Sequence, residues 1–260
     1  MRKAFYKFYS VCQRVLAPSL RNSQYAYKEA LTQSIPRDTP WLDLGCGHML
    51  FPDWMPGAEA EQARVIAQSK LVVGIDFDFP SLQKHKGIRN RVRGDIQRLP
   101  FADGSFGLVS SNVVIEHVEH PDALLAEIHR VLKPGGIFLF HTPNLFGYAT
   151  LLACLIPQRL KLLLIKFLQG RAEEDVFPVH YRLNTSRAIR AGACRTGFRV
   201  AGIELLESSA QAVMLGPLVV LELLWIRLLR FDSVRCLRTN IISRLQKPAP
   251  NADSGNTTRA

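Results

Sequence analysis

The chain has 260 residues, 47% hydrophobic and 21% charged, with a formal net charge of +11. This length and apolar content exclude an intrinsically disordered chain and suit one α/β domain with a modest addition; the charge favours anionic partners. Five cysteines with no Cys-x-x-Cys pair support neither a disulfide framework nor a zinc site, and fit a reducing, cytoplasmic compartment.

Residues 1–28 carry Arg2, Lys3, Lys7, Arg14, Arg21 and Lys28 with no acid. They are read as the start of a basic helical segment over 1–40, with Phe5, Tyr6, Phe8 and Tyr9 as its packing face. The run between Lys7 and Arg14 is too short for the apolar core of a secretory leader. Trp41–Leu44 is an apolar run ending in a glycine turn. Glu59–Gln68 has helical composition, Leu71–Ile75 is a buried-type strand, and Ser81 is expected to cap a helix over 81–86. Phe106–Val114 is a further β-type run. Pro121–Leu132 places Leu124, Leu125, Ile128, Val131 and Leu132 at helical spacing, is ended by Pro134-Gly135-Gly136, and leads into a strand at Ile137–Phe140.

Such alternation predicts a doubly wound, mostly parallel α/β sheet, with ligands at the carboxyl ends of its strands. Residues 145–182 interrupt the pattern with an apolar, basic stretch (Arg159, Lys161, Lys166) broken by Pro157, expected to form a helical lid. The apolar helix expected over 213–230 contains Gly216-Pro217 and Glu222, so it is read as buried or lying on a surface, not spanning. Segment 225–247 adds Arg227, Arg230, Arg235, Arg238, Arg244 and Lys247 against Asp232 alone. Residues 41–247 are thus one domain, followed by a polar tail, 248–260, expected to be disordered.

The chemistry concentrates after the first strand, in Asp43-Leu44-Gly45-Cys46-Gly47. Two glycines there let backbone approach a ligand closely. A dinucleotide fingerprint would want glycine at position 50, which is Leu50, and an acid about 20 residues on. Here the next strand-end acid is Asp76, which argues against a nicotinamide-dependent oxidoreductase. Three acids following three successive strands suit S-adenosylmethionine instead. Asp43 can accept from its ammonium group while the 45–47 amides face its tail. Asp76 can take both ribose hydroxyls with Phe77 against the adenine, and Asp95, beside Ile96, can accept from the adenine amino group.

These residues resemble the class I S-adenosylmethionine-dependent methyltransferases, particularly the group similar to quinone-biosynthesis C-methyltransferases. LDLGCG (42–47), VVGIDFD (72–78), GDIQRLPFADGSF (94–106), VVIEHVEHPDALLAEIHRVLKPGG (113–136) and IFLFHTPN (137–144) carry the likeness over about two-fifths of the chain. Residues 173–185 and Gly197-Phe198 are similar to a branch common among bacterial envelope and exopolysaccharide proteins. The chain departs from the family at Met49, usually a third glycine, and at Gly107, commonly an Asp. The resemblance implies a Rossmann-like fold, bound S-adenosylmethionine, and an antiparallel sheet end built from strands near 198–206 and 237–245.

A general base is needed only when the acceptor loses a proton. His117, with Glu116 as its carboxylate neighbour, His141 and His180 are the candidates, and Asn112 is expected near the methyl group. His117-x-x-His120 lacks a third ligand, so no metal is expected. The expected acceptor is small or lipid-linked, with peripheral contact to anionic membrane at its inner face. Nucleic acid is not expected, since no Asn/Asp-Pro-Pro-aromatic signature is present. The competing reading from another class is a non-catalytic cofactor-fold module that binds membrane or a partner.

Overall fold

The computed structural model describes residues 2–155 and 178–249. The centre of the expected lid, 156–177, and the tail from 250 lie outside the described residues. Helices α1 (Arg2–Leu16) and α2 (Ser23–Ser34) precede β1 (Trp41–Leu44), α3 (Ala58–Ile66), β2 (Val72–Asp76), α4 (Phe79–Lys84), β3 (Asn90–Arg93) and β4 (Phe106–Asn112). Then come α5 (Pro121–Val131), β5 (Leu132–Pro143), α6 (Tyr148–Leu155), α7 (Ser186–Arg195), β6 (Arg199–Leu206), α8 (Leu218–Leu228) and β7 (Asn240–Gln246).

The described strands form one seven-stranded sheet in the order β3-β2-β1-β4-β5-β7-β6. β1 to β5 pair in parallel, and β7 runs antiparallel to both β5 and β6. The order reverses between β1 and β4, which opens a crevice at their carboxyl ends.

Side-chain alternation fills both faces. Leu42, Leu44, Phe138 and Phe140 point to one side and bury against Leu124, Leu125 and Ile128 of α5 and Ile189 of α7. Trp41, Leu108, Leu139 and Ile242 point to the other, against Tyr27 and Leu31 of α2 and Val65 of α3. A third, smaller cluster joins α1 to α8 through Ala17, Val219, Leu223 and Ile226.

Several local expectations shift. The helix expected from Ser81 starts at Phe79, because Asp78 caps it by accepting from the Ser81 amide at 3.3 Å. Pro134-Gly135-Gly136 does not lie beyond the helix end in a loop. It forms the irregular start of β5, where Gly135 (φ +78°) donates its amide to Lys247 O at 2.9 Å. On α1 the packing face is Phe5, Tyr9, Cys12 and Leu16, whereas Tyr6 and Phe8 are 56% and 41% exposed. Gly107 has a steric reason: a Cβ there would sit 1.9 Å from Thr39 Oγ1, so Thr39 fills the space an Asp side chain would need.

Candidate functional site

At the reversal point the chain leaves β1 through Gly45 (φ +62°) and Gly47 (φ +53°), a left-handed backbone that side chains with a Cβ rarely adopt. The two glycines differ in what stands before them. A Cβ on Gly45 would collide with Val114 Cγ2 at 2.4 Å, so the close approach is made by the loop after β4, not by a ligand as the sequence suggests. Gly47 faces open space, with nothing within 4 Å of its would-be Cβ. Cys46 turns inward, where burial and the two neighbouring acids push its thiol pKa up. Its sulfur occupies the room that Gly74 leaves on β2, 2.7 Å from where a Cβ would be.

Asp76 ties this turn to β2. Its carboxylate accepts from the Gly47 amide at 2.8 Å and, through the other oxygen, from the Asp78 amide at 2.9 Å. Asp43 is 4% exposed and held differently. The Trp41 indole N–H donates to Ser110 Oγ at 2.7 Å, and Ser110 in turn donates to Asp43 Oδ1. Burial pushes the Asp43 pKa up to about 7; the Ser110 hydrogen bond opposes this and the nearby charge of Asp76 adds to it. The site therefore holds two close acids in a place where a cation would relieve both desolvation and repulsion.

Phe77 is 60% exposed directly after Asp76. Asp95 and Ile96 lie just beyond β3. Asp95 is exposed and accepts from the Gln97 amide at 2.8 Å, while Ile96 packs partly against the core. The structure thus gathers Asp43, the 45–47 turn and Asp76 into one constellation, with Asp95 and Ile96 at its edge.

Asn112 ends β4 directly across from His141 on β5. Its amide pairs reciprocally with Gln24 of α2 (3.2 and 2.9 Å), and its Oδ1 lies 2.8 Å from His141 Nδ1. Because that oxygen accepts, Nδ1 carries the imidazole proton. His141 is 1% exposed, stacked on Tyr27 at 5.7 Å, and burial pushes its pKa down to about 4. It is a neutral member of the core at the crevice floor.

His117 and His180 come together above this floor. His117 Nδ1 lies 2.7 Å from Pro178 O, and the His180 and Tyr181 amides donate to Glu116 O at 2.7 and 3.1 Å. Glu116 is not the imidazole's partner. Its side chain turns inward, is 3% exposed, and accepts from Thr142 Oγ1 at 3.0 Å, while Thr142 accepts from Asn184 at 2.7 Å. Burial pushes the Glu116 pKa up to about 7. Two non-glycine residues flank the site in left-handed backbone: Val113 (φ +58°), next to Asn112, and Tyr181 (φ +51°). For a β-branched residue such as Val113 that is a strained conformation.

Sequence reasoning missed Trp41, Ser110, Gln24, Thr142 and Asn184 as members of these networks. No local pattern marks them, since each reaches its partner across strands or from another helix. A polar residue inside an apolar strand, as at Ser110, is the one signal that was available.

Residues 42–140 match the family model described as "Methyltransferase domain". A probable S-adenosylmethionine-dependent methyltransferase of Mycolicibacterium smegmatis is 31% identical over 128 residues, covering 48% of this chain and 45% of that protein. A malonyl-[acyl-carrier protein] O-methyltransferase of Legionella pneumophila is 33% identical over 107 residues, 39% of this chain and 35% of its own length. The chain thus spans less than half the length of the curated relatives it matches. The crystal structure of an S-adenosylmethionine-dependent methyltransferase from Mesorhizobium loti superposes with a TM-score of 0.52 at 19% identity, covering 84% of this chain and 96% of that one, a likeness of fold. Residues 42–140 thus carry a methyltransferase domain, and the strand order, the reversed last strand and the glycine turn bound to the acid of β2 give it the fold of the class I S-adenosylmethionine-dependent methyltransferases.

Proposed function

We propose that the chain binds S-adenosylmethionine at the β1/β2/β4 crevice and transfers its methyl group to a small or lipid-linked acceptor, by O- or C-methylation. The observation that carries this reading is the joint placement of Asp43, Gly47 and Asp76 around the open turn. A nucleoside that also bears an ammonium group fits it: Gly47 leaves room for the tail, and buried Asp43, with its pKa near 7, gains a cationic partner. Asp76, already fixed by two backbone amides, presents its remaining lone pairs to the ribose hydroxyls. Phe77 lies against the adenine, and Asp95 with Ile96 borders its edge.

The cofactor supplies a methyl group on a sulfonium, open to in-line displacement, so the protein's task is to align the acceptor and exclude water. Asn112, locked by Gln24 and His141, forms the floor of the transfer site. His141 acts as a positioning residue, since its proton is committed to Asn112 and its basicity is low. For an acceptor that must lose a proton, His117 is the base, its ring oriented by Nδ1 at 2.7 Å from the Pro178 carbonyl oxygen. His180 sits beside it in the segment that closes over Glu116. The domain works on the cytoplasmic side, and a lipid-linked acceptor would bring it to the membrane's inner face.

Calorimetry with S-adenosylmethionine, its demethylated product and NAD tests the reading. The first two should bind and NAD should not, and Asp76→Asn should weaken binding at least tenfold, about 1.4 kcal/mol. Unchanged affinity in Asp76→Asn, or tighter binding of NAD, would falsify it.

A further inference from the structure

Away from the crevice, α1 and α8 pack together and each keeps an apolar face uncovered among the described residues. Along α1, Ala4, Phe8, Val11 and Val15 recur at i, i+4, i+7 and i+11, a flank away from the face that packs inward. Phe8, Val11 and Val15 are 41%, 48% and 73% exposed. Lys3, Lys7 and Arg14 run beside this stripe at the same helical spacing. Along α8, Leu218, Leu221, Trp225 and Leu228 form a second exposed stripe, continued by Phe231, which is 63% exposed. Leu224, Leu228 and Phe231 line a groove with Arg227 and Arg230 at its border.

The acid within α8 does not face outward with this stripe. Glu222 accepts from the Tyr148 hydroxyl at 2.6 Å and from the Gln211 and Ala212 amides at 2.7 Å each, so its charge is spent inside the fold. What the two helices show to the outside is apolar side chains edged by arginine and lysine, the pattern of a helix that lies in a membrane interface. No described helix is long and apolar enough to cross a membrane. A second copy of the chain fits this face poorly, because closing two such surfaces on each other would bring like basic borders together.

We infer that the α1/α8 face docks on an anionic lipid bilayer, with apolar side chains at the acyl boundary and Lys3, Lys7, Arg14, Arg227 and Arg230 among the headgroups. The surface lies outside the Asp43–Asn112 crevice, so the inference does not depend on the methyl-transfer reading.

The test is flotation of the full chain at low salt with phosphatidylcholine vesicles, with and without about one-third phosphatidylglycerol. The chain should float with the anionic vesicles only, and Trp225 emission should shift to the blue in a Trp54→Phe background, where the remaining indole, Trp41, is buried. Replacing Lys3, Lys7 and Arg14 by Gln should lower the partition coefficient on the order of a hundredfold, about fivefold per charge. A Leu221→Ser, Leu228→Ser, Phe231→Ser variant should stay in the aqueous fraction while melting as cooperatively as the parent chain by circular dichroism. Four outcomes would overturn the proposal: no flotation at low salt, equal binding to neutral vesicles, binding insensitive to both sets of substitutions, or a dimeric parent chain that the serine variant turns into a monomer.

Discussion

Gly45 and Asp43 show how single side chains set the crevice. At Gly45 two costs coincide, a left-handed backbone and Val114 pressed against the missing side chain. Gly45→Ala should therefore destabilise by about 1–3 kcal/mol from the backbone alone, plus a steric part. Adding Val114→Ala should recover the steric part only, which a double-mutant cycle of chemical denaturation midpoints separates. Asp43 gives a pH signature. Its pKa near 7 in the ligand-free protein must fall when an ammonium group binds, so binding releases a proton. Affinity for S-adenosylmethionine should rise from pH 5 to 7, then fall as the ligand's own α-amino group loses its proton near about pH 8. Flat affinity across that range in calorimetry would show that Asp43 does not meet the ammonium. Glycine turn and acids alike were legible from their order along the chain. The Val114 contact was not, because it joins positions 69 residues apart through a parallel crossover that no local pattern specifies.

Between elements, the strained end of β4 matters most. Val113 holds a left-handed conformation while donating its amide to His141 O at 2.8 Å, which aims Asn112 at Gln24. Val113→Gly should leave stability within about 1 kcal/mol of the parent, since relieved strain offsets added chain entropy. It should nevertheless lower turnover more than affinity, because Asn112 loses its fixed aim. Equal kcat in both proteins would show that the strain is incidental. The helices of the central domain were readable from spacing, as Leu124, Leu125, Ile128 and Val131 all bury where the pattern puts them. β3 was harder: Asn-Arg-Val-Arg has no apolar run, since an edge strand buries little. The start of α4 was misplaced because Asp78 caps ahead of Ser81, and both are good cap residues.

Across the whole molecule, buried carboxyls and buried histidines pull the response to pH in opposite directions. Asp43 and Glu116 both have pKa values near 7 when folded, above their ordinary values of 3.8 and 4.5. Between those limits the folded chain holds protons that the unfolded chain has released. Each carboxyl should remove at most about 1.4 kcal/mol of stability per pH unit as pH climbs from about 4 to about 7. His141 and His85, whose pKa values burial pushes down to about 4, offset that loss up to about pH 6.5, so the ligand-free protein should lose stability mainly between about pH 6.5 and 7. Glu116→Gln, which can still accept from Thr142, should remove that carboxyl's share of the loss and raise the melting temperature at pH 8. A lower melting temperature there would mean that the carboxylate is stabilised by something beyond Thr142. The sheet order also sets when folding can finish. β5, buried at the middle of the sheet, pairs on one side with β7, whose residues 240–246 follow it by about a hundred positions. During synthesis that edge stays open, apolar and able to join another chain until residues 240–246 have left the ribosome.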